Sequence, residues 1–264
     1  MKISMDLLKQ LREMTFAPLK DCKEALVEAE WDLQKANEIL KEKWILKAWK
    51  KADRATNEGT VKLSQKWDTF AAIKLLCETD FVAKNETFQE LVDTLLNTLL
   101  DSETPVLSLD AVDAWLRQSL DDTIAAFVGK IGENVQLWDV VIGKENVFLY
   151  NHPWNKVAAI VYYSGDEDAA KELALQTAAM SPTYLSLESV PQDVYNELRD
   201  KFSEELKDSG KPQEVIEQIL KGKINKALSD VVLLEQAYIR DGAKKVKEIL
   251  PESFDVQKFI RFSI

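Results

Sequence analysis

Histidine and glycine are scarce in this sequence, and both shortages exclude kinds of chemistry. His152 is the only histidine, which excludes a zinc site with two or three imidazole ligands. Glycine occurs only 8 times, and neither G-x-x-x-x-G-K-[ST] nor G-x-G-x-x-G is present, so the usual backbone cradles for phosphate groups are missing. We therefore expect the chain to bind no metal, no nucleotide and no other cofactor of its own.

Cysteine and long apolar runs are also limited. Cys22 and Cys77 lie far apart and resemble no disulfide framework, so each is predicted to be a buried thiol in reducing surroundings. The longest strongly apolar stretch, 157–163, is far shorter than the roughly 20 residues that cross a bilayer, and the first residues hold no signal-peptide core. These features predict a cytoplasmic protein with no membrane partner.

Positive charge is in deficit. Lysine and arginine number 34 against 45 aspartates and glutamates, which gives a net charge of −11, the wrong sign for a clamp on a phosphate backbone. The basic run 47–54 is short and is interpreted as a linker. We expect no direct nucleic-acid partner. Because 46% of the residues are hydrophobic, the composition indicates a folded globular protein.

The first fifty residues contain three short amphipathic patterns of helical period. Ser4 can cap the first helix, Pro18 can open the second, and Asp32 can cap a third whose apolar residues continue to Trp44. After Trp44 the helical pattern is predicted to give way to the linker. Residues 1–54 are thus predicted to form a helical domain with its linker.

Beyond this domain the apolar spacing alternates between periods of two and of helical length. The predicted elements are a hairpin at 61–77, helices at 88–99 and 112–127, a strand at 135–142, strands at 147–150 and 157–163, a helix at 166–180, two helical runs of about 17 residues at about 191–230, and a closing strand at 256–262. This order predicts an α+β fold. The second half echoes the first, which predicts two related subdomains, 55–143 and 144–264, with an antiparallel helical hairpin inserted in the second.

The segment 77–85, Cys-Glu-Thr-Asp-Phe-Val-Ala-Lys-Asn, lies where a predicted strand ends and a predicted helix begins. Asn85 is a candidate helix cap, so the chain must turn there and present side chains at an edge. Two interpretations of Phe81 are open. It could fold inward as a core residue while Asp80 caps the turn, or it could protrude as a wedge into another protein with Asp80 as its hydrogen-bonding neighbour.

Thr-Asp-Phe-Val at 79–82, after Cys77 and Glu78, resembles a signature of the translation elongation factor Ts family. Leu-Arg-Glu-Met-Thr at 11–15 and Asp-Cys-Lys-Glu-Ala-Leu at 21–26 resemble its other signature, with Phe16 and Pro18 as departures. Further similar stretches follow in family order: Lys-Ile-Gly-Glu-Asn at 130–134, Tyr-Asn-His at 150–152, Ser-Gly-Lys-Pro at 209–212, Leu-Glu-Gln at 234–236 and Phe-Ile-Arg-Phe at 259–262. The resemblance covers nearly the whole chain. Pro-Trp-Asn at 153–155 departs from it, because many members place glycines there.

This resemblance implies an architecture and a function. The implied fold is an N-terminal three-helix ubiquitin-associated-like domain, then a core of two related α+β subdomains with an inserted antiparallel coiled-coil hairpin. The implied function is not enzymatic in the covalent sense. It is that of a guanine nucleotide exchange factor for elongation factor Tu, which binds that GTPase with GDP and without nucleotide and promotes GDP release by disturbing its Mg²⁺ and phosphate site.

The resemblance also implies partner-binding residues. Phe81 would insert among helices of the GTPase domain and dislocate Mg²⁺, Asp80 would hold the loop or its partner, and Thr79 and Val82 would support the loop. Further contacts are implied at Arg12, Leu19, Lys20, Lys23, Ile131, Gly132, His152, Ile239 and Arg240. From the residues alone, Leu19 could instead belong to the core, and Arg12, Lys20 and Lys23 could be a solvated face. His152 could be a histidine at the edge of the core.

Other functions stay open at this point. An adaptor or scaffold would recruit partners through the helical domain and the hairpin without changing nucleotide affinity. A hydrolase could use Cys77 or a serine with His152, although no motif that orients such a pair accompanies them. A homodimer is a further open possibility.

Overall fold

The computed structural model describes residues 5–15, 17–102, 104–207 and 212–264. Ser4, Phe16 and 209–211, which the sequence patterns singled out, lie outside the described residues. The fold is α+β, as predicted. It consists of two compact units, Met1–Lys144 with Ile264 and Glu145–Ser263.

Each unit combines helices with small antiparallel sheets. The first unit contains α1 (Met5–Thr15), α2 (Leu19–Glu28), α3 (Leu33–Trp49), β1 (Glu58–Lys66), β2 (Thr69–Cys77), α4 (Asp80–Ala83), α5 (Glu86–Leu100), α6 (Ala114–Ile131) and β3 (Val135–Gly143). The second contains β4 (Val147–Asn151), β5 (Val157–Ser164), α7 (Glu167–Met180), α8 (Gln192–Leu206), α9 (Gln213–Ser229), β6 (Ala237–Tyr238), β7 (Asp241–Lys245), α10 (Val246–Ile249) and β8 (Asp255–Ser263).

Helices α1 to α3 share a small apolar core of their own, which includes Leu11, Leu26 and Leu40. Asp32 caps α3 as predicted, because its carboxylate accepts hydrogen bonds from two backbone N–H groups of the first turn. The prediction that α3 gives way after Trp44 is wrong. The helix continues to Trp49, because Ala48 packs against the core beneath the sheet, and the linker is correspondingly shorter.

The first sheet has the order β1-β2-β3, and all its neighbours are antiparallel. The predicted hairpin of β1 and β2 turns at Trp67. Alternate side chains of β2 from Ala71 to Cys77 face α5 and α6, whose apolar stripes complete the core. Asn85 caps α5 as the sequence predicts, so β2 ends and α5 begins within a short connection.

The second unit has a sheet of order β4-β5-β8, covered by α7, which Asp166 caps. Helices α8 and α9 pack on each other, with Ile224 and Leu228 of α9 meeting Leu198 and Phe202 of α8. A two-stranded ribbon of β6 and β7 follows, and no sequence pattern predicted it. None of the described helices has both the length and the apolar character needed to span a bilayer.

Candidate functional site

The connection between β2 and α5 forms a one-turn helix, α4, that turns one aromatic ring outward. The Thr79 hydroxyl caps α4 by accepting a hydrogen bond from the Val82 N–H at 3.3 Å. Val82 and Ala83 are buried in the core of the unit, whereas Phe81 is 83% exposed. The interpretation of Phe81 as a core residue is therefore wrong, since Val82 takes the inward position.

Asp80 does not cap this turn, as the inward interpretation required, because Thr79 does. Its carboxylate instead accepts a hydrogen bond from the Lys84 ammonium one turn later, at 2.8 Å. That bond lowers the pKa of Asp80 and raises the pKa of Lys84. The pair is solvent-exposed, so it orders the outer face of α4 but contributes little to global stability.

Glu133 clamps the base of this segment from the loop between α6 and β3. Its carboxylate accepts hydrogen bonds from the Thr79 N–H at 3.1 Å and the Thr79 hydroxyl at 2.8 Å. In return, Glu78 accepts a bond from the Asn134 N–H at 2.6 Å. Two carboxylates thus join the two loops reciprocally. No local sequence pattern marks Glu133 as a site residue, although it lies in the 130–134 stretch that resembles the family.

The linker after α3 is fastened to the same place. The Asn134 side-chain amide donates to the carbonyls of Ala52 and Arg54, at 3.3 and 2.9 Å. The Lys51 ammonium donates to the Gly132 carbonyl, and burial lowers the pKa of Lys51. Within this unit, linker, α6–β3 loop and Phe81 segment therefore form one hydrogen-bonded assembly.

Two predicted contact residues, Ile131 and Gly132, lie in this assembly, where each stabilises the local structure. Gly132 ends α6 in the left-handed region at φ +89°, a conformation that favours glycine. Ile131 is partly buried and packs against the core of the unit. The structure thus brings these residues together with Thr79 and Phe81 in the same unit.

A second exposed surface lies on α1 and α2. Leu19 is 53% exposed, so the alternative that assigned it to the core is wrong. Lys20 and Lys23 are exposed on the same helix and line a shallow concavity together with Val27, and Arg12 is exposed on α1. Glu24 and Glu28 line the same concavity, and the Lys20 ammonium lies 3.9 Å from the Glu24 carboxylate. The surface therefore combines apolar area with charges of both signs.

The remaining predicted residues lie in the second unit. His152 is exposed, and its Nδ1 lies 2.8 Å from the hydroxyl of Tyr150, which packs against the core of the unit. Trp154 and Asn155 follow with φ of +73° and +52°, a backbone that glycine adopts without strain. Ile239 and Arg240 form the turn between β6 and β7, where Ile239 is 40% exposed.

The described residues of the site offer exposed side chains for contact with a partner. No group of three or more His, Cys, Asp or Glu side chains that could hold a metal ion occurs among the described residues. Cys77 is buried, as predicted, and its thiol donates to the Thr79 carbonyl at 3.2 Å. The arrangement holds an exposed aromatic ring at a fixed position, and such a ring suits the recognition of a partner protein.

Comparison with known proteins gives the same family along the whole chain. The family model described as Elongation factor TS matches residues 78–264. Elongation factor Ts of Hydrogenobaculum sp. (strain Y04AAS1) is 36% identical over 100% of this chain and 99% of its own length. Elongation factor Ts of Deinococcus deserti is 38% identical over 98% of this chain and 99% of its length, and that of Aquifex aeolicus is 34% identical over 100% and 98%. This chain therefore belongs to the elongation factor Ts family of translation elongation factors.

Proposed function

We propose that this protein is a guanine nucleotide exchange factor for the translation GTPase elongation factor Tu, acting at that partner's Mg²⁺ and phosphate site. The observation that carries the proposal is the exposed ring of Phe81 on a helical turn that Thr79 and Glu133 clamp. Membership of the elongation factor Ts family supports the choice of partner. The chain performs no covalent step in this function and supplies no cofactor.

The physical basis of exchange is differential binding. A fully buried Phe ring stabilises a complex by about 1.5–3 kcal/mol, and the clamp keeps the cost of ordering the ring low. If Phe81 fits only a conformation of the GTPase whose Mg²⁺ site is disturbed, its burial stabilises that conformation. By linkage, the factor by which this protein weakens GDP equals the factor by which GDP weakens this protein.

The exposed surface of α1 and α2 is a second anchor in this proposal. Arg12, Leu19, Lys20 and Lys23 contact the GTPase domain, and the linker assembly holds this anchor in a fixed relation to Phe81 within the unit. We include in the proposal that α1 to α3 form a ubiquitin-associated-like domain and that α8 and α9 form a coiled-coil hairpin. In the second unit, the proposed contacts are His152 and the turn that Ile239 and Arg240 form.

Stopped-flow release of a fluorescent GDP from elongation factor Tu tests the proposal, with excess unlabelled nucleotide and Mg²⁺ present. Exchange activity predicts release that accelerates with the concentration of this protein until it saturates. Binding without acceleration would identify an adaptor instead. If the protein neither binds elongation factor Tu nor accelerates GDP release, the proposed partnership with elongation factor Tu is rejected.

A further inference from the structure

One face of α7 holds the ribbon of β6 and β7. Gln176 is fully buried, and its amide group is fully engaged with the ribbon. Its nitrogen donates to the Gln236 side-chain oxygen at 3.1 Å and to the Ala237 carbonyl at 3.0 Å, and its oxygen accepts the Ile239 N–H at 2.9 Å. A buried amide with these three partners specifies one position for the turn, because any displacement leaves a buried polar group unpaired.

Gln236 continues the network on the other side of the ribbon. It is 1% exposed, and its side-chain nitrogen donates to the carbonyls of Met180 and Asp230, at 3.2 and 2.8 Å. The backbone carbonyl of Gln236 accepts the Val246 N–H at 3.0 Å. The two glutamines therefore fasten the start of the ribbon to both the end of α7 and the end of α9.

Glu172 lies one helical turn before Gln176 and fixes the outer end of the ribbon. Its carboxylate accepts two hydrogen bonds from the Arg240 guanidinium, at 2.7 and 2.9 Å, and one from the Tyr238 hydroxyl at 2.6 Å. Both oxygens are engaged with the residues that flank Ile239. The paired geometry is the strong, directional form of an Arg–carboxylate contact.

We infer that Glu172 and Gln176 are positioning residues that present Ile239 to the partner, and that Arg240 acts through its bidentate contact with Glu172 rather than by binding the partner directly. This inference rests on the proposed function, in which the Ile239 turn is a contact with elongation factor Tu. A two-residue turn on a short ribbon would otherwise sample many conformations, and ordering it on binding would weaken the complex. The α7 network removes that cost in the free protein.

We call the hydrogen bonds of Glu172 and Gln176 to the ribbon the brace. Amide hydrogen exchange of the isolated full chain tests this brace without a measurement of activity. Replacing Gln176 by Leu removes the acceptor of the Ile239 N–H, and replacing Glu172 by Ala releases Arg240 and Tyr238. Each substitution should accelerate exchange of the Ile239 amide about tenfold or more, while amides of β5 keep their protection. Unchanged protection of Ile239 in both variants overturns the inference, even if the protein proves to be an exchange factor.

GDP release from elongation factor Tu tests the functional consequence. Glu172→Ala should raise the half-saturating concentration of this protein about five- to tenfold while the maximal release rate stays unchanged. Glu172→Gln, which keeps one acceptor, should lie between Ala and the native residue. Glu205→Gln, which breaks the Lys223–Glu205 pair of α8 and α9, is the matched control and should change neither quantity.

A double-variant cycle separates positioning from general destabilisation. If Glu172 acts by placing Ile239, the effect of Glu172→Ala should disappear when Ile239 is already Ala. Likewise, Arg240→Gln should add nothing to Glu172→Ala. Additive effects would show that Arg240 or Glu172 contacts the partner on its own and would overturn the inference. If the unaltered protein does not accelerate GDP release, the proposed function fails while the Ile239 amide still reports on the brace.

Discussion

The indole ring of Trp44 on α3 lies directly against Gly129 of α6. A Cβ atom added at Gly129 would come within 2.7 Å of the indole Nε1 and closer still to Cδ1 and Cγ. Trp44 is 5% exposed and belongs to the core of the three-helix part. The contact therefore fixes α3 on α6, and it requires glycine for space rather than for backbone freedom.

Because of this contact, two glycine substitutions on helices are expected to change the free energy of unfolding in opposite directions. Gly222 lies within α9, and an added Cβ would meet nothing within 4 Å. Gly222→Ala should raise the free energy of unfolding by about 0.5–1 kcal/mol, because alanine favours the helix. Gly129→Ala gains the same propensity but displaces Trp44, and should lower it by about 1–3 kcal/mol.

Urea unfolding followed by tryptophan fluorescence measures both effects. Stabilisation by both substitutions would mean that α3 can move away from α6 at little cost. The Gly129→Ala variant should also show a shifted emission spectrum before unfolding, since Trp44 becomes more exposed. The Gly222→Ala variant should not.

Much of the fold could be predicted from the sequence because its signals are local. Apolar period predicts α5, α6 and the β1–β2 hairpin, and short polar residues such as Asp32 and Asn85 cap the helices that follow them. The one-turn α4 and the two-residue strand β6 are too short to show a period. Their positions depend on distant partners, which a local pattern does not contain.

Part of the candidate site could likewise be predicted from the sequence, and part could not. Thr-Asp-Phe-Val at 79–82 marks the segment, but the inward or outward direction of Phe81 is decided by Val82, which packs into a core assembled from α5, α6 and the sheet. Glu133 meets Thr79 from 54 residues away, and Glu172 meets Arg240 from 68 residues away. No spacing rule on a single sequence predicts such pairs.

The Thr79 hydroxyl should prove necessary for the geometry of the Phe81 segment. Thr79→Val keeps the shape of the side chain and the backbone bond to Glu133, but it loses both the hydroxyl bond to Glu133 and the cap of α4. It should lower the free energy of unfolding by about 1 kcal/mol and slow GDP release from elongation factor Tu. Thr79→Ser keeps the hydroxyl and should retain most of the release rate. If GDP release is equally fast with Thr79→Val and Thr79→Ser, the Thr79 hydroxyl is not needed for exchange.

The lysines of α2 should act through long-range attraction. Replacing Lys20 and Lys23 together by Gln should slow association with elongation factor Tu about threefold or more at low ionic strength. The difference should shrink as salt is added, because exposed charges are screened within about 8–10 Å at physiological ionic strength. Lys35→Gln, at an exposed position of α3, serves as the control. Salt-independent slowing would point to lost packing instead.

Glu235 gives the second unit a pH-dependent contribution to stability. Burial alone would raise the pKa of Glu235, but hydrogen bonds from Lys245 and Lys247, both at 2.6 Å, outweigh it and leave the pKa below the ordinary 4.5. Because the folded-state pKa lies below the unfolded-state value, the stabilisation is present above pH 4.5 and is lost as pH falls through the lower value.

Comparison with Glu235→Gln measures this contribution. The difference in the free energy of unfolding between the native chain and this variant should be constant from about pH 7 to about pH 5 and shrink at lower pH. In a background that lacks both Lys245 and Lys247, burial alone acts on the pKa of Glu235 and raises it, so the acid dependence of the difference should reverse its sign. A difference that grows as pH falls would contradict the lowered pKa.

Phe81→Ala should separate exchange activity from folding. Phe81 is 83% exposed, so its truncation should change the free energy of unfolding by less than about 0.5 kcal/mol. If the ring is buried in the partner, losing about 1.5–3 kcal/mol should slow GDP release about 10- to 100-fold. Trp115→Ala removes another aromatic side chain of the same unit, 79% exposed at the start of α6, and should leave release unchanged. Equal release rates with the Phe81 variant and the native protein would mean that this ring does not insert into the partner. An equal loss of release rate in the Phe81 and Trp115 variants would indicate a nonspecific effect of surface aromatic side chains.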